Sequence, residues 1–147
     1  MKRVVVLAAV VAVVMSSLGG ADAMWVRLSD AELIEQSDII VGAELIGHTQ
    51  LRLAPDRPKL TLGVLRVDDV LKGDAGITVA LLVLPSPDAP RSSTDLLYRK
   101  GQKGLWFLRV RDQKDAGLYL ADHPQRFVPV EQAQGRIQAL REQLKRR

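Results

Sequence analysis

Apolar residues recur at every second position over several stretches of the chain, which is the pattern of strands with one face in a core. Residues 39–46 show this pattern first, and residues 59–71 and 77–83 repeat it. Residues 105–108 are apolar at every position, so they predict a central strand that is covered on both faces. A further short strand is predicted at residues 117–121, after a turn. The pattern therefore predicts about five strands.

The second of these stretches changes phase, which predicts a bend. Apolar residues occupy the even positions 60, 62 and 64, and then the odd positions 65 and 67. A strand cannot move its core face in this way without a bulge or a sharp bend, because its side chains alternate strictly between two faces. Gly63 lies at the change. Residues 59–71 are therefore predicted to form a strand that bends around a small closed sheet.

Helices are predicted at both ends of the strand-rich part. Ser29 and Glu32 have the spacing of a capping box, in which each side chain accepts a hydrogen bond from the backbone N–H of the other residue, so a short helix begins there. Residues 129–145 open with a proline and then carry apolar residues at spacings of three and four, as in a helix with one buried face. This apolar stripe consists of Val130, Ala133, Ile137, Leu140 and Leu144.

The order of these elements predicts a mainly β fold. A short helix, about five strands and a long helix fit a small OB-like antiparallel barrel. The short N-terminal helix and the longer C-terminal amphipathic helix would pack against this barrel. Residues 24–147 form a single domain in this interpretation, since a domain commonly contains about 100–200 residues.

The first 23 residues have the pattern of a cleaved signal peptide. Lys2 and Arg3 are followed by the apolar residues 4–15, and the small residues Ala21 and Ala23 mark a cleavage site. The apolar run is twelve residues long, whereas a membrane-spanning helix needs about 20. We therefore predict that residues 1–23 are removed on export and that the protein is periplasmic or extracellular.

The composition excludes several kinds of site and of binding protein. The chain has no cysteine, which excludes disulfides, thiolate metal sites and thiol nucleophiles. Its formal net charge is +4, and removal of the signal peptide, with two basic residues and one acidic residue, lowers the charge to +3. A charge this small argues against a dedicated nucleic-acid-binding protein.

Three segments carry a resemblance to a known superfamily. Residues 37–42 read SDIIVG, residues 64–73 end in VLKG, and residues 104–108 read GLWFL. In these segments the chain resembles exported bacterial proteins of the netrin-like superfamily, which includes the tissue inhibitors of metalloproteinases. The resemblance covers about residues 28–111, and it implies an OB-type barrel flanked by terminal helices.

The resemblance does not extend to the inhibitory chemistry of that superfamily. The animal inhibitors act through an amino-terminal cysteine, whose amine and carbonyl oxygen chelate the zinc of the protease. This chain contains no cysteine, and Met24 is the predicted first residue after cleavage. The resemblance therefore implies a fold and leaves the function open, because one fold hosts many functions.

The sequence contains no recognisable catalytic or metal-binding motif. His48 and His123 are the only histidines, and Asp122 beside His123 provides two metal ligands where a site normally needs three or four. No Gly-x-Ser-x-Gly elbow and no phosphate-binding glycine loop is present. Asp68 and Asp69 are adjacent, so in a strand they face opposite sides. No catalytic residue, metal or cofactor is therefore assigned.

Two polar loops provide the candidate binding surface. The first spans residues 47–58, and the second spans residues 85–103, which join two predicted core strands. Long loops of this kind are either functional or mobile. We predict a non-enzymatic binding or protein-interaction module whose partner is another exported or envelope protein. The residues of the predicted surface are His48, Arg52, Arg57, Arg91, Tyr98, Arg99, Lys100 and Lys103.

Two other functions stay open at this point. One is a small exported hydrolase with an unrecognised carboxylate site, which a concave pocket with converging acids would favour. The other is weak binding of an anionic polymer through Arg99, Lys100, Lys103 and the carboxyl-terminal basic cluster, which a continuous basic groove would favour. A flat surface beside mobile loops would instead favour partner binding.

Overall fold

The computed structural model describes residues 25–115 and 117–146. The predicted signal peptide, residues 1–23, lies outside the described residues. Within them the fold is mainly β, with a short helix on the N-terminal side and a C-terminal helix, as predicted. The elements in chain order are α1 Asp30–Glu35, β1 Ile39–Leu51, β2 Leu60–Lys72, β3 Val79–Leu84, β4 Lys103–Val110, β5 Leu118–Leu120, a 3-10 turn Pro124–Arg126, β6 Phe127–Pro129 and α2 Val130–Lys145.

Five of the strands form a ring. β1 pairs with β2, β2 with β3, β3 with β5 and β5 with β4, and β4 returns to β1. All of these pairs are antiparallel except β3 with β5, which is parallel. The expectation of an antiparallel sheet is therefore wrong for this one pair. A ring with an odd number of strands cannot alternate direction all the way round, so one parallel pair is unavoidable.

A sixth strand was not predicted. β6 pairs with the part of the β4 edge that β5 leaves free, opposite Gly104, Leu105 and Trp106. Its three residues are too few to show a periodicity of their own. It connects directly to α2, because Pro129 is the last residue of β6 and the N-cap of the helix. The helix therefore begins at Val130, one residue later than predicted.

The long hairpin of β1 and β2 contains three bulges. The pairing shifts leave Leu71 and Asp68 of β2 and Ile46 of β1 without a direct partner. The pairing of β2 with β3 runs without a shift across Gly63, so the predicted change of face at that glycine is wrong. Gly63 is needed for another reason, because a Cβ atom there would lie 2.8 Å from Cδ1 of Leu45.

The core has two parts, which lie on opposite faces of β4. The inner cluster is enclosed by the ring and includes Trp106 and Leu108, whereas the outer cluster lies between the sheet and the two helices and includes Leu105 and Phe107. All four side chains are fully buried, which confirms the prediction of a central strand covered on both faces. The Trp106 indole N–H donates a hydrogen bond to the carbonyl oxygen of Ala43, at 3.1 Å.

Both helices contribute to the outer cluster. The capping box of α1 is present as predicted, with Ser29 Oγ accepting from the N–H of Glu32 and Glu32 Oε2 accepting from the N–H of Ser29. On α2, Ala133 and Leu140 are buried against the sheet, and Ile137 and Leu144 are half-buried beside them. Val130 was predicted to belong to this stripe, but it is 39% exposed.

Truncation of Leu140 tests whether α2 is an integral part of the core. Leu140→Ala should lower the free energy of unfolding by about 2–5 kcal/mol, because it removes a fully buried side chain and leaves a cavity. Arg141→Ala is the control, since its ion pair with Asp69 is solvent-exposed and worth at most about 1 kcal/mol. Urea denaturation measures both changes. Equal, small effects would show that α2 is detached from the sheet.

Candidate functional site

Part of the first predicted loop belongs to strand β1. β1 continues to Leu51 and pairs with β2 as far as Leu60, so only residues 52–59 form the connection. Residues 47–51 are mostly polar and exposed, which is why their pattern predicts a loop. Pairing with β2 decides their conformation instead, since backbone hydrogen bonds to a neighbouring strand do not depend on apolar side chains.

The far end of this hairpin borders a pocket of about 430 Å³, which we call the end pocket. It brings together residues of both predicted loops and of three strands. The residues that line it are His48, Thr49, Gln50, Thr61, Leu84, Pro85, Ser86, Pro87, Arg91, Asp95, Leu97 and Tyr98.

The end pocket continues the inner face of the ring. Thr61 of β2 lies on the same face as the core residue Leu65, and it pairs with Gln50 of β1 and Leu84 of β3. Directly paired residues point to the same side of a sheet. The polar side chains of His48, Gln50 and Thr61 therefore stand where the apolar interior opens to solvent.

Tyr98 anchors the second loop beside this pocket. Its hydroxyl donates a hydrogen bond to the carbonyl oxygen of Ala121 at 2.9 Å, and its ring meets those of Trp106 and Phe127 edge-on, with centroids 5.0 and 6.0 Å away. Burial raises the pKa of Tyr98, and the negative charge of Asp122 raises it further. The phenol is therefore neutral and half-buried, and it acts as an anchor of the loop with only part of its surface available to a partner.

Three of the eight predicted surface residues meet in the end pocket, namely His48, Arg91 and Tyr98. The others lie outside it. Arg52 and Arg57 are in the connection between β1 and β2, and Arg99 and Lys100 precede β4. Lys103 is held by an ion pair with Asp68, at 3.0 Å.

Most of the remaining pocket residues lie in the two predicted loops, but none was named individually, and Thr61 and Leu84 lie outside those loops. Gln50, Thr61 and Leu84 belong to three different strands, and no local pattern relates them. Thr61 is the clearest example, because its position in a strand was predicted but its place at the open end of the sheet was not. Only the pairing of the strands brings these residues together.

A second pocket, of about 610 Å³, lies on the amino-terminal side of the domain. We call it the N-terminal pocket, and its lining residues are Trp25, Val26, Leu28, Gln36, Asp38, Arg109, Val110, Asp122, His123 and Arg126. Arg126 is 3% exposed and donates hydrogen bonds to Ser37 Oγ and the Phe107 carbonyl oxygen, each at 3.2 Å.

The two carboxylates of the N-terminal pocket, Asp38 and Asp122, already accept hydrogen bonds from other groups of the protein. Asp122 accepts hydrogen bonds from Arg109 and lies 3.3 Å from Nε of Arg126. Burial alone would raise the pKa of Asp122, but the hydrogen bonds and charge of Arg109 outweigh it and hold the pKa below its ordinary value. Asp38 accepts from the N–H of Val110 at 2.6 Å. Both carboxylates therefore stabilise local structure.

His123 also has a structural role. Its Nδ1 accepts a hydrogen bond from the N–H of Gln125 at 3.1 Å, and its Nε2 lies 2.9 Å from the carbonyl oxygen of Val26. The ring of Trp25 meets it edge-on, with centroids 5.2 Å apart. His123 thus holds the segment before α1 against the 3-10 turn. Within residues 25–115 and 117–146, no three histidine or acidic side chains are grouped closely enough to hold a metal ion.

Some basic side chains of the described part of the chain form ion pairs, whereas those of two segments do not. Seven basic side chains form ion pairs, among them Arg66, Arg109 and Arg141. The segments 52–59 and 85–100 behave differently, since none of their basic residues has an ion-pair partner among the described residues. These unpaired residues are Arg52, Arg57, Lys59, Arg91, Arg99 and Lys100.

Neither described helix is both long enough and apolar enough to cross a membrane. Comparisons of the chain with protein-family models, with curated proteins and with solved structures found no match.

Proposed function

We propose that this protein is an exported, non-enzymatic binding module, and that the end pocket with its adjoining loops contacts another exported or envelope protein. The observation that carries the proposal is the assembly of His48, Arg91 and Tyr98 into one pocket at an exposed strand end. Pockets that combine an apolar floor with a few polar groups are the usual binding sites of proteins. The amino-terminal signal pattern supports export.

We also propose that the ring is an OB-like barrel. The pairing order around the ring, with β1 next to β4 and a parallel contact between β3 and β5, supports this assignment. The long, bulged hairpin of β1 and β2 supports it as well, because bulges allow strands to curl into a closed sheet. Proteins with this fold commonly bind ligands through their strand faces and the loops at one end.

The other two functions have less support. A hydrolase needs an acid or base that is free to exchange a proton with a substrate. Asp122 is held ionised by Arg109, Asp38 accepts from the backbone, and both ring nitrogens of His123 are engaged. For the binding of an anionic polymer, one of the predicted residues is not available, because the charge of Lys103 is neutralised by Asp68.

Deletion of residues 86–94 tests the proposed surface. This change removes Arg91 and the outer wall of the end pocket but keeps Tyr98, whose contacts anchor the loop. We expect the melting temperature to stay within a few degrees of wild type, since few core contacts are lost. Capture of the partner from the exported fraction, followed by mass spectrometry, should fail for the deleted protein.

The substitution Lys114→Glu serves as the control, because Lys114 is exposed and lies outside both pockets. This variant should capture the same partner as the parent. Unchanged capture by the deleted protein would show that the end pocket is not the binding surface. If the parent captures nothing specific, the proposal of a binding module is wrong.

A further inference from the structure

The end pocket adjoins a strand edge that has no partner strand among the described residues. β4 pairs with β1 only from Ile39 to Glu44, and Leu45 then bonds to Gln102 and Gly101. Residues 46–51 extend past this point, and within the described part of the chain their backbone is hydrogen-bonded only to β2. A free edge of this kind presents unpaired N–H and C=O groups to any extended chain that approaches it.

The residues of this free edge lack two of the usual protections against such an approach. Natural edge strands are commonly blocked by charged residues, by proline or by a covering loop. Residues 46–51 read IGHTQL, with no charged residue and no proline. Ile46 and Leu51 are 37% and 36% exposed, so the edge also offers apolar surface. An edge that is left open in this way is suited to pairing with another strand.

The charge of the segments beside the free edge indicates which kind of strand binds there. The edge is bordered by the segments 52–59 and 85–100, which carry six basic residues without an ion-pair partner among the described residues and only three acidic ones. Lys100 lies next to Gly101, which is bonded to Leu45 where the free edge begins. A second copy of this chain would bring two such basic ends together, which is unfavourable. An acidic chain would instead find complementary charge on both sides of the edge.

We propose that the free edge of β1 binds an acidic, extended peptide segment of the partner, which adds to the sheet as a strand. This inference rests on the proposed function and names the chemistry of its partner. Side chains of an added strand alternate between its two faces, so every second one points towards the end pocket. The apolar wall formed by Leu84, Leu97 and Pro85 suits a valine or leucine side chain at that position.

The test uses the whole chain, expressed with its own amino-terminal segment, and a synthetic nine-residue peptide. The peptide has acidic residues at both ends and valine at alternate central positions, and its binding is followed by fluorescence anisotropy. Two further peptides carry N-methyl groups on alternate sets of amides. An added strand uses only one of these sets for hydrogen bonds. One N-methylated peptide should therefore bind at least about 30-fold more weakly, while the other binds nearly as well as the parent.

A pair of charge-reversal variants tests the basic border. Arg57→Glu combined with Arg91→Glu should weaken peptide binding by about tenfold or more, because both residues lie in the basic segments next to the edge and have no ion-pair partner among the described residues. Lys114→Glu combined with Lys145→Glu makes the same change in net charge on exposed positions elsewhere and should have little effect. Circular dichroism of both variants verifies that they fold.

Several outcomes would overturn the inference. Equal binding of both N-methylated peptides would exclude strand addition, and competition by polyphosphate as strong as that of the acidic peptide would identify a binder of anionic polymers. Sedimentation as a dimer without peptide would identify a second copy as the occupant. Capture of an exported partner that the acidic peptide does not displace would leave the proposed function standing and refute only this inference.

Discussion

The variant Gly104→Ala should be the most damaging single-methyl change in the described part of the protein. A Cβ atom at residue 104 would lie 2.1 Å from the carbonyl oxygen of Val128 and 3.0 Å from the ring of Phe127. The oxygen belongs to the backbone of β6, which pairs with β4 at this point, so it cannot swing aside as a side chain would. Relief of the clash requires β4 and β6 to separate.

We expect this variant to lose about 3 kcal/mol or more of its free energy of unfolding, at the upper end of the range for overpacked sites. The effect should extend to α2, because the helix begins directly after β6. Gly135→Ala is the matched control. Its Cβ atom would meet no heavy atom within 4 Å, and its place inside α2 favours alanine, so stability should rise by about 0.5–1 kcal/mol. Urea denaturation of both variants measures the difference. A Gly104→Ala protein as stable as wild type would show that β6 is not packed as described.

Replacement of Arg126 by methionine should also be strongly destabilising. The guanidinium is 3% exposed, and it supplies donors to Ser37 Oγ and to the Phe107 carbonyl oxygen. Burial lowers the pKa of Arg126, and the negative charge of Asp122 partly offsets this effect. Methionine fills the space of the side chain but leaves both acceptors without a donor, so we expect a loss of about 2–4 kcal/mol.

Arg109→Met separates burial from charge in this comparison. Arg109 contacts the same carboxylate of Asp122, but its side chain is 39% exposed. Its loss should cost no more than about 1 kcal/mol, because water solvates the groups that it leaves. Thermal unfolding followed by circular dichroism compares the two variants. Equal losses would mean that the buried hydrogen bonds of Arg126 add nothing to its ion pair.

The sequence predicts those elements whose pattern is complete within a few neighbouring residues. The capping box of α1 needs only Ser29 and Glu32, and both of its hydrogen bonds are present. Residues 105–108 are apolar throughout, and all four are buried. The stripe on α2 predicts its buried face at Ala133 and Leu140, although Val130 is exposed because it lies in the first turn beside β6.

Features that depend on pairing between distant residues were missed. Residues 47–51 are mostly polar, so nothing in their local pattern shows that β2 holds them in a strand. β6 has only three residues, and it is a strand because it pairs with the part of β4 that β5 does not reach. Arg126 has the sequence context of a surface residue, yet it is buried where Ser37 and Phe107 converge.

The candidate site shows the same division. Its basic loop residues could be named from the sequence, because loops between predicted strands must reach the surface. The tertiary structure decides which residues form the pocket, since Gln50, Thr61 and Leu84 become neighbours only through the pairing of β1, β2 and β3. The free edge of β1 was likewise decided by the shorter length of β4, which ends its pairing at Glu44. Local periodicity determines which face of an element is buried, but only long-range pairing determines which elements meet and which edge is left open.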